Sequence, residues 1–232
     1  MLIGSYYRGK SAPSITAHAW LYCALFVVLS TAAVDAQQLT RAYIRAGEFS
    51  EAYDQVTRRA AEQPSMESVA RMAAIAQTID TTSGPMPVHE REHLLRIALE
   101  AILDAAEPAG LTSQEDFRDA ALELEPILLR FDTYETAQLR RVSMDLGMRM
   151  LDSAAWRSAL QRHGHALIEV QRDSGGLTDG DTTEEILALV DALGGTGDSR
   201  MITLVDRLRR GTRRAEVVRA AREVIDDLDA DQ

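Results

Sequence analysis

The chain of 232 residues is 46% hydrophobic, 26% charged and only 5% aromatic, which supplies apolar material for a real core and excludes a disordered tail. Its 14 Gly and 6 Pro are too few turn formers for a many-stranded sandwich or barrel. A net charge of −11 opposes general binding to nucleic acid or to an anionic lipid surface.

At the N-terminus, Arg8, Lys10 and His18 precede an almost uncharged run from Ala19 to Val34, which ends in Val34-Asp35-Ala36. This pattern predicts a secretory signal peptide over residues 1–36. Small side chains at Val34 and Ala36 suit a signal peptidase, and the run is short for a bilayer that needs about 20 residues. The alternative is an uncleaved membrane anchor through residues 19–34, since the polar stretch before Trp20 is long. Cys23 stands behind bulky Tyr22, which disfavours lipid attachment there. Cleavage after Ala36 removes the only Cys and the only Lys and leaves 23 Arg against 35 Asp and Glu. A chain without disulfides is tolerable outside the cytoplasm if its core suffices, and one near 200 residues buries roughly 70% of its unfolded surface. A periplasmic or secreted protein is therefore expected.

Beyond the leader, apolar residues recur at spacings of three and four, as in Leu94, Leu95, Ala98, Leu99, Ile102 and Leu103. The spacing predicts helices near 38–46, 49–62, 66–80, 88–106, 113–130, 134–151, 153–172, 183–193, 199–210 and 213–229. Gly47, Pro64, Ser83-Gly84-Pro85, Pro108-Ala109-Gly110, Asp132-Thr133, Gly175-Gly176 and Gly194-Gly195 separate them. No strand is left over. The fold class read from this is all-α, an α-solenoid of stacked antiparallel helix pairs behind the signal peptide.

Two stretches sharpen that reading. Gly47-Glu48-Phe49-Ser50-Glu51-Ala52, followed by Pro64, has a glycine at the turn, an aromatic residue at the helix start, a small residue for a helix contact and a proline after the helix. It resembles the second half of a tetratricopeptide repeat, although the family's second alanine falls on Arg59, beside Ala60. Leu193-Gly194-Gly195-Thr196-Gly197-Asp198-Ser199-Arg200-Met201-Ile202, then Val205, Leu208, Val218-Arg219-Ala220-Ala221 and Val224-Ile225, resembles a bacterial HEAT-type repeat. Gly197 would permit the tight turn, Asp198 cap the next helix, Ile202, Val205 and Leu208 form the inner face, and Ala220 and Ala221 allow close approach. Ser199 stands where that family often has proline. These likenesses divide the chain into a leader (1–36), a tetratricopeptide-like region (37–174), a linker (175–182) and a HEAT-like repeat (183–232).

The sharpest catalytic motif is His89-Glu90-Arg91-Glu92-His93, which matches H-E-x-x-H, the spacing that puts two imidazoles on one helix face beside a glutamate base. In the metalloproteases it resembles, the intervening residues are uncharged because the helix is buried, whereas here they are Arg91 and Glu92. Neither Glu107 nor Glu115 stands at a recognised third-ligand spacing, so a solvated first helical turn is the preferred reading. His163 and His165 near Glu169, with Gly164 marking close helix packing, make a two-ligand site at best. Asp179-Gly180-Asp181 with Glu184 and Glu185 lacks the ligands of a calcium loop and reads as a polar linker with a cap at Asp181 or Thr182.

Seven arginines lie between Arg207 and Arg222 in an otherwise acidic chain. Internal pairing with Asp206, Glu216 and Glu223 accounts for some. Arg209, Arg210, Arg213, Arg214 and Arg219 are the candidates for binding an acidic or envelope-associated protein partner. The expectation is a non-enzymatic adaptor or scaffold with no cofactor, no catalytic residues and no nucleic acid, touching a membrane only if the leader stays attached. The alternatives are a small zinc-dependent peptidase using His89, Glu90 and His93, and a structural subunit of a cell-envelope assembly.

Overall fold

A computed structural model describes residues 36–111 and 115–230. The expected leader lies outside the described residues except for Ala36, which is fully buried and opens the first helix. Among the described residues the protein is all-helical, with no strand. The helices are α1 (36–46), α2 (Phe49–Ala60), α3 (Met66–Thr81), α4 (Val88–Ala106), α5 (Arg118–Leu128), α6 (Ala137–Met150), α7 (Ala154–Asp173), α8 (Gly180–Gly195), α9 (Ile202–Arg210) and α10 (Ala215–Ala230). Short 3-10 turns at Phe131–Thr133 and Ser199–Met201 lead into α6 and α9.

Local chemistry explains most boundaries. Ser65 and Ser68 form a reciprocal capping box at the start of α3, Ser153 accepts from the Trp156 N–H at 3.1 Å at the start of α7, and Asp198 caps the turn into α9 by accepting from the Arg200 N–H at 3.0 Å. Gly197, with φ of +59°, makes the left-handed turn expected of it. Three expectations are corrected. Among the described residues, the segment expected at 113–130 is helical over Arg118–Leu128, with Pro126 in its last turn. Asp179, rather than Asp181 or Thr182, caps α8, accepting from the Thr182 N–H at 2.7 Å. Gly194 and Gly195 are the last two residues of α8 rather than a break before them, and a Cβ on Gly194 would come to 3.0 Å from both methyls of Val224, so the glycine lets α10 lie close.

The helices form two interleaved series of neighbours. In one, α2, α4, α6, α8 and α10 pack in succession; in the other, α3 packs on α5 and α7 on α9. Between the series, α3 lies on α2 and α4, α5 on α6, α7 on α8, and α9 on α8 and α10. The second series loosens between α5 and α7, where the 3-10 turn at Phe131 fills in against α6 and α7. One buried apolar cluster runs from Ala36 to Leu228, with Trp156, Phe117 and Phe131 its bulkiest fully buried members. Ala52 and Ala221 are fully buried, and a Cβ on Gly164 would meet the Leu204 side chain at 2.9 Å, which fits the close helix packing expected at these positions.

Candidate functional site

The arginine-rich segment forms α9, the turn after it and the first half of α10, and the fold divides its cations into two groups. Arg209 donates to Asp206 Oδ1 from Nε at 3.0 Å and Nη2 at 2.5 Å, and Arg210 Nη2 lies 2.6 Å from Oδ2 of the same carboxylate. Hydrogen bonds from Arg209, reinforced by both positive charges, hold the Asp206 carboxyl below the ordinary carboxylate range. The second group sits at the α9–α10 turn. There the Arg213 N–H donates to the Gly176 carbonyl at 3.0 Å, and the Arg214 guanidinium donates to the Thr178 carbonyl, tying this turn to the α7–α8 connection. Arg214 Nε is buried without a partner. Arg219 projects from α10 into solvent.

A cleft of about 440 Å³ opens between α9 and α10. Ile202, Thr203, Asp206, Arg209, Arg210, Arg222, Ile225 and Asp226 line it. Of the five arginines expected to bind a partner, only Arg209 and Arg210 line the cleft. Arg222 joins them from α10, a position the charge pattern could not single out, because helix pairing decides which α10 face meets α9.

The H-E-x-x-H motif occupies the first turns of α4, but its members diverge. His89 is exposed, whereas His93 is half-buried, stacked on Tyr53 with ring centroids 5.7 Å apart and tilted against Phe49 at 6.0 Å. Burial, then the nearby Arg96 charge, lowers the pKa of His93. Glu92 points inward and spends its carboxylate on the start of α6. Among the described residues no three or more His, Cys, Asp or Glu side chains stand together as a metal site.

His163 and His165 leave α7 on different sides. His165 is exposed. His163 is buried edge-on against Phe131, centroids 5.1 Å apart, with Nε2 2.8 Å from Glu185 Oε1 but out of line for a good hydrogen bond. Glu185, 1% exposed, takes a bidentate pair from Arg140 Nε and Nη2, and Arg140 Nη1 also donates to the Tyr134 and Glu135 carbonyls. Burial pushes the Glu185 carboxyl up, but the hydrogen bonds and charge of Arg140, with His163 close beside it, outweigh burial and hold the group below its ordinary value. Tyr134, whose hydroxyl donates to the Ile127 carbonyl at 3.1 Å, is pushed up to about 12 by its own burial. Only the edge of Arg140 reaches solvent, and the network couples α6, α7 and α8.

No family model, no curated protein and no solved structure matches the chain. Function is therefore argued from the arrangement of the helices and from the basic cleft at their end.

Proposed function

We propose that the chain is a helical-repeat scaffold, an α-solenoid of stacked antiparallel pairs that is exported and binds another protein in the periplasm or outside the cell. The observation that carries this reading is the alternation of neighbours: every second helix packs on the one two places before it from α2 to α10. That pattern is what a stack of hairpins produces, since each pair buries one face against the next. The tetratricopeptide-like region at 37–174 and the HEAT-like repeat at 183–232, joined at 175–182, are parts of the same proposal. Export rests on Arg8, Lys10 and the apolar run 19–34 before Ala36. The partner is an acidic or envelope-associated protein, met either as an adaptor or as a fixed subunit of an assembly.

The test is in-cell cross-linking of the full chain carrying a C-terminal affinity tag, followed by denaturing purification. A discrete cross-linked protein at defined stoichiometry is expected. Recovery of the chain alone would overturn the scaffold reading, and stoichiometric zinc lost on His93→Ala would replace it with the peptidase.

A further inference from the structure

We propose that the cleft between α9 and α10 is a docking groove for an acidic amphipathic helix of the partner protein, with Arg209, Arg210 and Arg222 receiving its carboxylates and Ile202 and Ile225 its apolar side chains. The inference deepens the scaffold reading and rests on it.

The groove is built from two helical stripes. Ile202, Asp206 and Arg209 follow one another at four and three residues along α9, and on α10 Ile225 and Asp226 stand three and four residues after Arg222. Each stripe therefore runs along one helix face and presents an apolar residue among charges. The nine residues of α9 span about 13 Å, which matches two to three turns of a docked helix. Two half-buried isoleucines are too little apolar surface to hold a partner alone, so the arginines must supply orientation and much of the affinity. Arg210 and Arg222 are the free ones, with Arg209 held on Asp206 beside them: the Arg210 side chain is 73% exposed and uses one donor on Asp206, and Arg222 is exposed with no hydrogen bond or ion pair among the described residues.

Charge complementarity selects the partner. Residues 202–230, which make up α9, the turn and α10, carry seven arginines against six carboxylates, while the whole chain is at −11. An acidic partner is repelled over most of the molecule and least at this end, where the exposed Arg210 and Arg222 attract carboxylates locally and orient its approach. Asp206 and Asp226 inside the groove interrupt the positive field, so a continuous phosphate backbone or lipid surface is matched poorly, whereas a helix alternating carboxylates with leucines is matched well.

The experiment uses the purified full chain and a fluorescein-labelled synthetic helix of about five turns, with Leu along one face and Glu on the flanks. Fluorescence anisotropy should show saturable binding that weakens with salt. The Arg210→Glu/Arg222→Glu variant should bind about ten-fold or more weakly, and Ile225→Asp likewise, with circular dichroism unchanged. Arg219→Glu, which lies off the groove, should change binding far less. A Lys-for-Glu version of the peptide, duplex DNA and anionic phosphatidylglycerol vesicles should not compete. Absence of binding to the Glu peptide, equal binding to wild type and the double variant, or preference for DNA or vesicles would each overturn the groove. If the cross-linked protein of the scaffold test is retained equally by the double variant, the groove fails while the scaffold reading stands; if no cross-linked protein exists, the scaffold reading itself fails.

Discussion

Glu92 on α4 caps α6 through Thr136: its carboxylate accepts from the Thr136 N–H at 3.0 Å and the Thr136 hydroxyl at 3.1 Å, and from the Glu135 N–H at 2.8 Å. The Thr136 side chain makes no cap of its own, so a residue 44 positions earlier satisfies the orphan donors of the helix and places a negative charge at its positive end. Replacement by Ala leaves those part-buried donors without their protein partner. Glu92→Ala should destabilise the fold by about 2–3 kcal/mol in urea unfolding, and Glu92→Gln, which keeps an acceptor, by clearly less. Equal effects of the two would show that charge rather than hydrogen bonding matters there.

Gly147 and Trp156 are a second fitted pair. A Cβ at Gly147 would be driven into the indole, which also packs on Phe131 with centroids 5.4 Å apart. Gly147→Ala should cost about 1–3 kcal/mol by overpacking, and near-ultraviolet circular dichroism should report the displaced tryptophan. In the Trp156→Phe background the same substitution should cost less, because the two residues share one space. Additive losses would refute the clash.

Acid should act through Glu185. Its folded carboxyl is held below the ordinary value of 4.5 by Arg140 and His163 against the opposing effect of burial. Ionised Glu185 therefore favours the folded state, a contribution complete above the unfolded value and lost as pH falls through the folded one. Stability should decline as pH drops below about 4.5, and Glu185→Gln should flatten that limb. At neutral pH the same substitution removes the charged partner of Arg140, which keeps the Tyr134 and Glu135 carbonyls and some solvent, and should cost about 1–3 kcal/mol, measured by chemical denaturation. An unaltered acid limb in the variant would assign it to other carboxylates.

Export is checked at two points. A reporter fused after Gln232 should be active only outside the cytoplasm, and N-terminal sequencing should begin at Gln37. Processing there removes Ala36, whose carbonyl accepts from the Thr40 hydroxyl at 2.9 Å, and leaves the rest of α1 in place. An unprocessed chain with an externally active reporter would instead support the anchor at 19–34, and a cytosolic chain would remove the leader.

What the amino-acid sequence determined by itself was local. Ten helical segments, the turn at Gly197, the cap at Asp198 and the close contacts at Gly164, Ala52 and Ala221 follow from apolar periodicity and from residues acting within a turn or two of themselves. What only the tertiary structure decided depends on which helices become neighbours. Glu92, read as one more solvated charge, turns inward because α4 lies against the start of α6. His163 parts from His165 to meet Glu185, and Arg140 reaches a partner 45 residues away. Gly194 serves as a contact for Val224 of α10 rather than as a breaker, and Arg222 joins Arg209 and Arg210 only because α10 folds back along α9. Periodicity says which face of a helix is apolar, but not which distant helix will cover it; a polar side chain on the border of that face takes its role from the covering helix.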